Sequence, residues 1–239
     1  MYTPLLTSLL TVLASGCAFA SQSGRSVFTR NGIYAIATAV GGAGWAFHAY
    51  NTLRRPGGMR WLNLFYAAPM GAPMALSLAG LLGLTAQCLR NTSASRVPQL
   101  LKRPAHRVLS ALTSIGLLGT AAEAGLLHFR GAFQNPFMWL PVTVPPVAAA
   151  FLADSAVSRS TSVSRSRLTR AWLCLTALLG VAGSCFHAYG IARQMGGWRN
   201  WSQNLLSGPP LPAPPSFSAL AVAGLAAVSL AEHNRGPRT

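Results

Sequence analysis

The chain has 239 residues, of which 51% are hydrophobic and only 9% are charged, whereas about 25% of the residues in a soluble domain are charged. Three acidic residues, Glu123, Asp154 and Glu232, stand against nineteen basic ones, which gives a net charge of +16. So few charges cannot cover a soluble surface, and the composition predicts an integral membrane protein. The basic residues lie in short connectors between apolar segments, which argues against a nucleic-acid partner and for a lipid bilayer.

The N-terminal segment is apolar from residue 4 to residue 20 and ends in Ala18-Phe19-Ala20, a small-x-small pattern that a signal peptidase can cut. The residues before it carry no positive charge, which a secretory signal normally has. A cleaved signal and a retained helix therefore both stay open. We favour a retained helix with its N-terminus outside, because this keeps Arg25 and Arg30 on the cytoplasmic side.

Six further segments are long and apolar enough to cross a bilayer, whose hydrocarbon core of about 30 Å needs roughly 20 residues per helix. They cover residues 32–52, 69–89, 108–129, 137–156, 170–191 and 214–231. Consecutive segments pair across short connections. We therefore predict an all-α integral membrane protein with an N-terminal helix and three tandem two-helix hairpin repeats. This arrangement has six or seven transmembrane helices, and we favour seven.

The first and third hairpins carry the same motif at identical spacing: Phe-His-Ala-Tyr, then an arginine, a glycine pair and a second arginine. Recurrence at fixed spacing indicates a duplicated structural unit. The predicted boundaries are 1–31 for the N-terminal helix and its basic linker, 32–90, 108–157 and 170–231 for the hairpins, 91–107 and 158–169 for the cytoplasmic linkers, and 232–239 for the basic tail.

A second signature occurs in all three hairpins and consists of an asparagine, five residues, a proline, three residues and another proline. Proline is tolerated at the start of a helix, and an asparagine before it can bind the local backbone. We therefore interpret these residues as loop-shaping. The asparagines are Asn63, Asn135 and Asn204, and the first prolines of the three copies are Pro69, Pro141 and Pro210.

The charge distribution predicts the orientation of the hairpins. Thirteen of the nineteen basic residues lie in the linkers and at the two ends of the chain, and six lie near the histidine-containing loops. Positive charge marks the cytoplasmic side of a membrane protein. We therefore expect cytoplasmic linkers and extracytoplasmic histidine loops. Arginine outnumbers lysine 18 to 1, which is typical of a GC-rich bacterial genome, so the expected location is a bacterial cytoplasmic (inner) membrane.

One histidine lies near the end of the first helix of each hairpin: His48, His128 and His187. If the hairpins surround a common axis, three imidazoles at one depth can hold a divalent metal, and two can hold a haem. The alternative is that each histidine binds backbone carbonyls at its helix end and fastens the loop. We keep both hypotheses, with the structural one favoured.

Glu123 is an acidic residue inside a predicted membrane segment, where a carboxylate costs about 2.5–3.5 kcal/mol on insertion scales. It is a candidate metal ligand together with the histidines. It is also the candidate coupling group if the protein is a small-solute or ion transporter, which is our alternative function. A hydrogen-bonded packing role is equally compatible with the sequence.

Arginines near the histidine loops form a candidate anion- or partner-binding group, because the guanidinium suits carboxylates and phosphates. Their alternative role is to snorkel towards lipid head groups. The chain has no phosphate-binding loop, dinucleotide fingerprint or nucleophile elbow, so the sequence favours a non-catalytic protein. Our leading hypothesis is an accessory or anchor subunit that docks an extracytoplasmic partner. A purely structural role without a ligand stays open. The arginines are Arg54, Arg60, Arg130, Arg193 and Arg199.

Overall fold

The computed structural model describes residues 2–20, 27–66, 70–90, 99–100, 103–158 and 162–234. Within these ranges the chain is almost entirely helical, and the strands are limited to one antiparallel pair of two residues each. The elements in chain order are α1 (Tyr2–Ala20), α2 (Val27–Leu53), α3 (Trp61–Tyr66), α4 (Gly71–Arg90), β1 (Gln99–Leu100), β2 (Arg103–Pro104), α5 (Ala105–Arg130), α6 (Leu140–Val157), α7 (Val163–Ala192), α8 (Trp201–Ser207) and α9 (Ala213–His233). Two 3-10 helices precede α6 and α8, over Pro136–Trp139 and Gly197–Asn200.

Six of the described helical segments are long and apolar enough to cross a membrane, and they comprise Tyr2–Ala20, Gly71–Arg90, Ala105–Arg130, Pro136–Val157, Val163–Ala192 and Ala213–His233. Helix α2, predicted to cross the membrane over residues 32–52, is 27 residues long but is not among these six segments. The predicted all-α membrane fold is therefore confirmed. The protein is multi-pass, and its surface contacts lipid.

The interior is rich in small residues, and many large apolar side chains lie on the surface. Fully buried positions include Ala37, Thr113 and Ala221, whereas Leu178 and Val222 on the membrane helices are more than half exposed. Lipid tails are as apolar as leucine, so helices in a bilayer associate through close packing of small side chains. The small buried residues and the exposed large apolar side chains support the membrane location.

Several helices begin earlier than the sequence predicted. Helix α7 starts at Val163, seven residues before the predicted start, because Ser162 caps it with a side-chain oxygen that accepts a hydrogen bond from the Arg165 N–H. Helices α2 and α5 extend five and three residues beyond their predicted starts. The short loop helices α3 and α8 were not predicted. Pro69, predicted to open the second helix of the first hairpin, lies outside the described residues.

Contacts divide the chain into two compact units, Met1–Ala105 and His106–Thr239. In the first unit α2 and α4 form an antiparallel pair, and α1 lies beside them through a Ser15–Tyr34 hydroxyl contact of 3.2 Å. In the second unit α7 pairs with α9 and α6 packs on α7. The Ser114 hydroxyl of α5 donates to the Ala149 carbonyl of α6 at 2.8 Å. The predicted domain boundaries stay a prediction.

Candidate functional site at the loop side of the hairpins

We call the hairpin ends that carry the histidines and asparagines the loop side, and the opposite ends the linker side. The first loop follows α2 and turns at Gly57 and Gly58, whose φ angles of 89° and 56° are left-handed. Glycine suits this conformation because it lacks a Cβ. The Asn63 side chain donates to the Pro56 carbonyl at 3.0 Å and to the Gly58 carbonyl at 2.8 Å. One amide therefore holds both sides of the turn together.

The third loop repeats this geometry. Gly196 and Gly197 have φ angles of 78° and 51°, and Asn204 donates to the Met195 carbonyl at 3.2 Å and to the Gly197 carbonyl at 2.8 Å. The third copy contains two more residues between the glycines and the asparagine than the first copy. The two additional residues form part of the loop helices. The asparagine still binds the equivalent carbonyls, those of Met195 and Gly197 in place of Pro56 and Gly58.

The helix seams of these two hairpins also match. Gly41 packs against Pro73 and Ser77, and Gly180 packs against Pro214 and Ser218. The Ser77 hydroxyl donates to the Thr38 carbonyl at 2.8 Å, and the Ser218 hydroxyl donates to the Ala177 carbonyl at 2.7 Å. These residues occupy equivalent places in the repeat. The glycines allow the backbones to approach closely enough for an interhelical hydrogen bond.

The third histidine binds the proline-rich segment that leads into α9. Its Nδ1 lies 2.8 Å from the Pro210 carbonyl oxygen, which also accepts from the Ala213 N–H at 3.2 Å. Pro212 and Pro214 flank Ala213 and have no N–H, so this segment has few backbone donors. The imidazole supplies one of them. A carbonyl can only accept, so Nδ1 carries the proton and the Nε2 lone pair of neutral His187 is left available.

The middle histidine makes an analogous bond in a different loop. His128 Nδ1 lies 2.7 Å from the Met138 carbonyl oxygen, in the 3-10 helix before α6. The next 3-10 donor for this carbonyl would be residue 141, but Pro141 has no N–H. Asn135 caps the same 3-10 helix, because its side-chain oxygen accepts from the Phe137 N–H at 3.0 Å.

The middle loop is short and holds two non-glycine residues in the left-handed region, Ala132 at φ 54° and Phe133 at φ 47°. This conformation costs about 1–2 kcal/mol for each such residue. Two contacts of Phe133 offset the cost. Its N–H donates to the His128 carbonyl at 3.0 Å, and its ring stacks on Trp139 with centroids 4.1 Å apart.

The second unit brings its two histidine-bearing helix ends together. The rings of Phe137 and Phe186 stack with centroids 5.1 Å apart. Phe137 precedes Met138, which binds His128, and Phe186 precedes His187. Both imidazoles are half-buried, and His48 in the first unit is half-buried as well. Within the described parts of either unit, no three His, Cys, Asp or Glu side chains form a group that could hold a metal ion.

Glu123 is half-buried in α5, one of the helices that can cross the membrane. Its role as a metal ligand or coupling group for transport stays a prediction. The loop-side arginines are all exposed on the protein surface. Two of them lie over a tyrosine ring of the preceding helix, Arg54 at 5.6 Å from the centroid of Tyr50 and Arg193 at 5.7 Å from that of Tyr189. This contact favours one orientation of each guanidinium.

Sequence reasoning missed two ion pairs on the linker side of the second unit. Arg165 binds Asp154 at 2.7 Å, and Arg170 binds Glu232 at 2.5 Å. The Ser166 hydroxyl also donates to Glu232 at 2.5 Å. The signal in the sequence was that two of the three acidic residues lie near helix ends, facing an arginine-rich helix start. These pairs fasten α6 and α9 to the N-terminal part of α7.

Comparison with protein-family models, with curated proteins and with solved structures finds no match for this chain.

Proposed function

We propose that the protein is a non-catalytic membrane anchor subunit of a bacterial inner membrane, whose loop side docks an extracytoplasmic partner with an acidic surface. The proposal rests on the different roles of the asparagines and the arginines in the loops. In the first and third loops the asparagine binds two backbone carbonyls inside the loop, while the arginines remain on the surface. Hydrogen bonds inside each loop therefore hold its conformation, and its cationic side chains are exposed on the surface.

The positive charge of the loop side indicates which kind of partner surface it binds. The loops contain no Asp or Glu, and the three acidic residues of the chain lie in helices α5, α6 and α9. Large apolar side chains accompany the arginines, with Met195 91% and Leu206 87% exposed. Arginine, methionine and aromatic side chains are enriched in protein interfaces, and a loop that is held by internal hydrogen bonds loses less conformational entropy on binding. The excess of basic residues in the linkers supports an extracytoplasmic loop side.

Site-specific photo-crosslinking in the native membrane tests the docking proposal. We expect a crosslinker at Met195 to give one protein adduct whose partner co-purifies stoichiometrically, and Arg193→Gln with Arg199→Gln to reduce that adduct at least fivefold. The matched control is a crosslinker at Leu178, 66% exposed in the middle of α7, which should give lipid adducts only. Lipid adducts at both positions would show that the arginines bind head groups and would overturn the docking proposal.

Metal or haem ligation at the histidines is the second part of this proposal. Its support is the tautomer of His128 and His187, because a ligating histidine usually donates its other ring N–H to a backbone carbonyl or carboxylate. Their Nε2 atoms have the lone pair that such a group binds, and a haem needs two axial donors.

Absorption spectroscopy and metal analysis of the purified protein test the ligation. We expect a stoichiometric metal or a Soret band that is lost in the His48/His128/His187→Ala triple variant. The control is a His106/His233→Ala double variant, which removes two histidines on the linker side and should keep the signal. A wild-type protein without metal and without a Soret band would overturn the ligation proposal. The role of His128 and His187 would then be to bind backbone carbonyls.

A further inference from the structure

The linker side of the second unit contains a small cavity of about 10 Å³ between α5, α6, α7 and α9. Its polar wall consists of four hydroxyl groups, from Ser110, Ser155, Ser166 and Thr169, and its remaining wall is formed by apolar side chains of α9. Ser110 is 2% exposed and Thr169 is fully buried. The volume is close to the minimum that holds one water molecule.

Three of the four hydroxyls have already donated their proton. Ser155 donates to the Phe151 carbonyl at 2.9 Å, Thr169 to the Arg165 carbonyl at 2.8 Å, and Ser166 to the Glu232 carboxylate at 2.5 Å. These oxygens can only accept a further hydrogen bond. A suitable occupant therefore donates hydrogen bonds or carries positive charge.

Ser110 is the fourth hydroxyl, and it makes no hydrogen bond within the described part of the chain. A buried polar group without a partner costs free energy, and in native structures it usually indicates an ordered water or an ion. The Ser110 hydroxyl can donate as well as accept. An occupant that accepts one bond and donates two would satisfy Ser110 and two of the other hydroxyls.

The local charge decides between a water molecule and a cation. Glu232, which accepts a hydrogen bond from Ser166 of the cavity wall, already binds Arg170 in an ion pair of 2.5 Å. A cation in the cavity would face this arginine without an unneutralised negative charge, and a buried charge is costly unless it is paired. We infer that the cavity binds one water molecule, which links the linker-side ends of four helices.

The substitution Ser110→Val tests this inference, because a bound water and a dry cavity predict opposite changes in folding stability. If a water is bound, valine expels it and leaves the hydroxyl wall without its shared partner, so we expect the folding equilibrium constant to fall about fivefold to tenfold. If the cavity is dry, valine fills a void and removes an unpartnered hydroxyl, and stability rises. A stabilised Ser110→Val variant would overturn the inference.

Thr113→Val is the matched control on the same helix. The Thr113 hydroxyl is fully buried and has no hydrogen-bond partner, but it does not line the cavity. Its replacement by valine should be neutral or stabilising. Both variants are compared in sodium chloride and in choline chloride. A saturable sodium-dependent stabilisation of the wild type that Ser110→Val abolishes would identify a cation site and overturn the water assignment.

A wild-type density map that resolves ordered solvent provides a second readout that does not depend on any variant folding. We expect a solvent peak within hydrogen-bond distance of Ser110 Oγ and of at least one of the other hydroxyls that line the cavity. An empty cavity in that map would also overturn the inference.

Discussion

The first and third hairpins agree on their loop side and differ on their linker side. Their turns, asparagine bonds, glycine seams and interhelical serine bonds have the same geometry. The seams still correspond at Gly83, which packs on the Tyr34 ring, and Gly224, which packs on Leu173. One helical turn closer to the linkers, the first hairpin buries Arg30 and Gln87 at 5% and 3% exposure. The third hairpin has Thr169 and Val228 at these places.

The neighbours of each hairpin account for the difference. In the first unit the linker-side end meets α1, where the Arg90 side chain donates to the Ala18 carbonyl near the helix terminus. In the second unit it meets α5 and α6, which provide Ser110 and Ser155 to the hydroxyl cavity. Apart from the stacking of Phe186 on Phe137 of the middle hairpin, the loop-side contacts described above lie within one hairpin. The end that the two hairpins share is therefore largely held by its own contacts, whereas the end where they differ contacts different neighbours.

The largest expected effect comes from filling the seam glycine. Gly180→Ala would place a Cβ 2.7 Å from the Pro214 carbonyl oxygen, and Gly41→Ala would place one 2.5 Å from the Pro73 carbonyl oxygen. The helices must then separate, and we expect each substitution to lower the free energy of unfolding by about 2–3 kcal/mol. Unfolding in mixed SDS micelles, followed by tryptophan fluorescence, measures the loss.

Gly119→Ala is the matched control for the seam substitutions, because a Cβ there has no atom within 4 Å. Alanine is the better helix former, so this variant should be neutral or slightly stabilising. If Gly41→Ala and Gly180→Ala differed by more than the uncertainty of the measurement, the two seams would not be equivalent. Equal losses in both seams and in Gly119→Ala would remove close packing as the cause.

Much of this fold was accessible from the sequence, because its signals are local. Apolar length predicted the helices, and repeated spacing predicted that the first and third hairpins share their loops. The tautomer of His187 depends on a carbonyl 23 residues away, and the Arg170–Glu232 pair joins residues 62 apart. Such contacts depend on the register between helices, which composition and periodicity do not determine. For the same reason the sequence could not reveal the hydroxyl cavity, which four helices build together.

The asparagines provide an intermediate effect that separates the two loops. Asn204 is 3% exposed, whereas Asn63 is half-buried. Alanine at either position leaves two carbonyls without their donor, and the penalty increases with burial. We expect a loss of about 2 kcal/mol for Asn204→Ala and about 1 kcal/mol for Asn63→Ala.

Trypsin cleavage at Arg199 and Arg60 in proteoliposomes gives a local readout of the same substitutions. An opened loop is cut faster, so Asn204→Ala should raise cleavage at Arg199 more than Asn63→Ala raises cleavage at Arg60. Asn200→Ala is the control, because Asn200 is exposed and its side chain does not cap α8. Unchanged cleavage in Asn204→Ala would mean that the glycine turn holds the loop without the asparagine.

Removal of the interhelical serine bonds should have the smallest effect on the free energy of unfolding, and the effect should be nearly equal in the two hairpins. Ser77 and Ser218 donate across their seams at 2.8 Å and 2.7 Å, and such bonds between membrane helices contribute about 0.6 kcal/mol on average. Ser77→Ala and Ser218→Ala should each lower the free energy of unfolding by about that amount. Ser184→Ala, which removes a bond within α7 to the Gly180 carbonyl, should cost less. If the serine variants cost as much as the glycine variants, hydrogen bonding would hold the seams together, and the close approach at Gly41 and Gly180 would be its consequence.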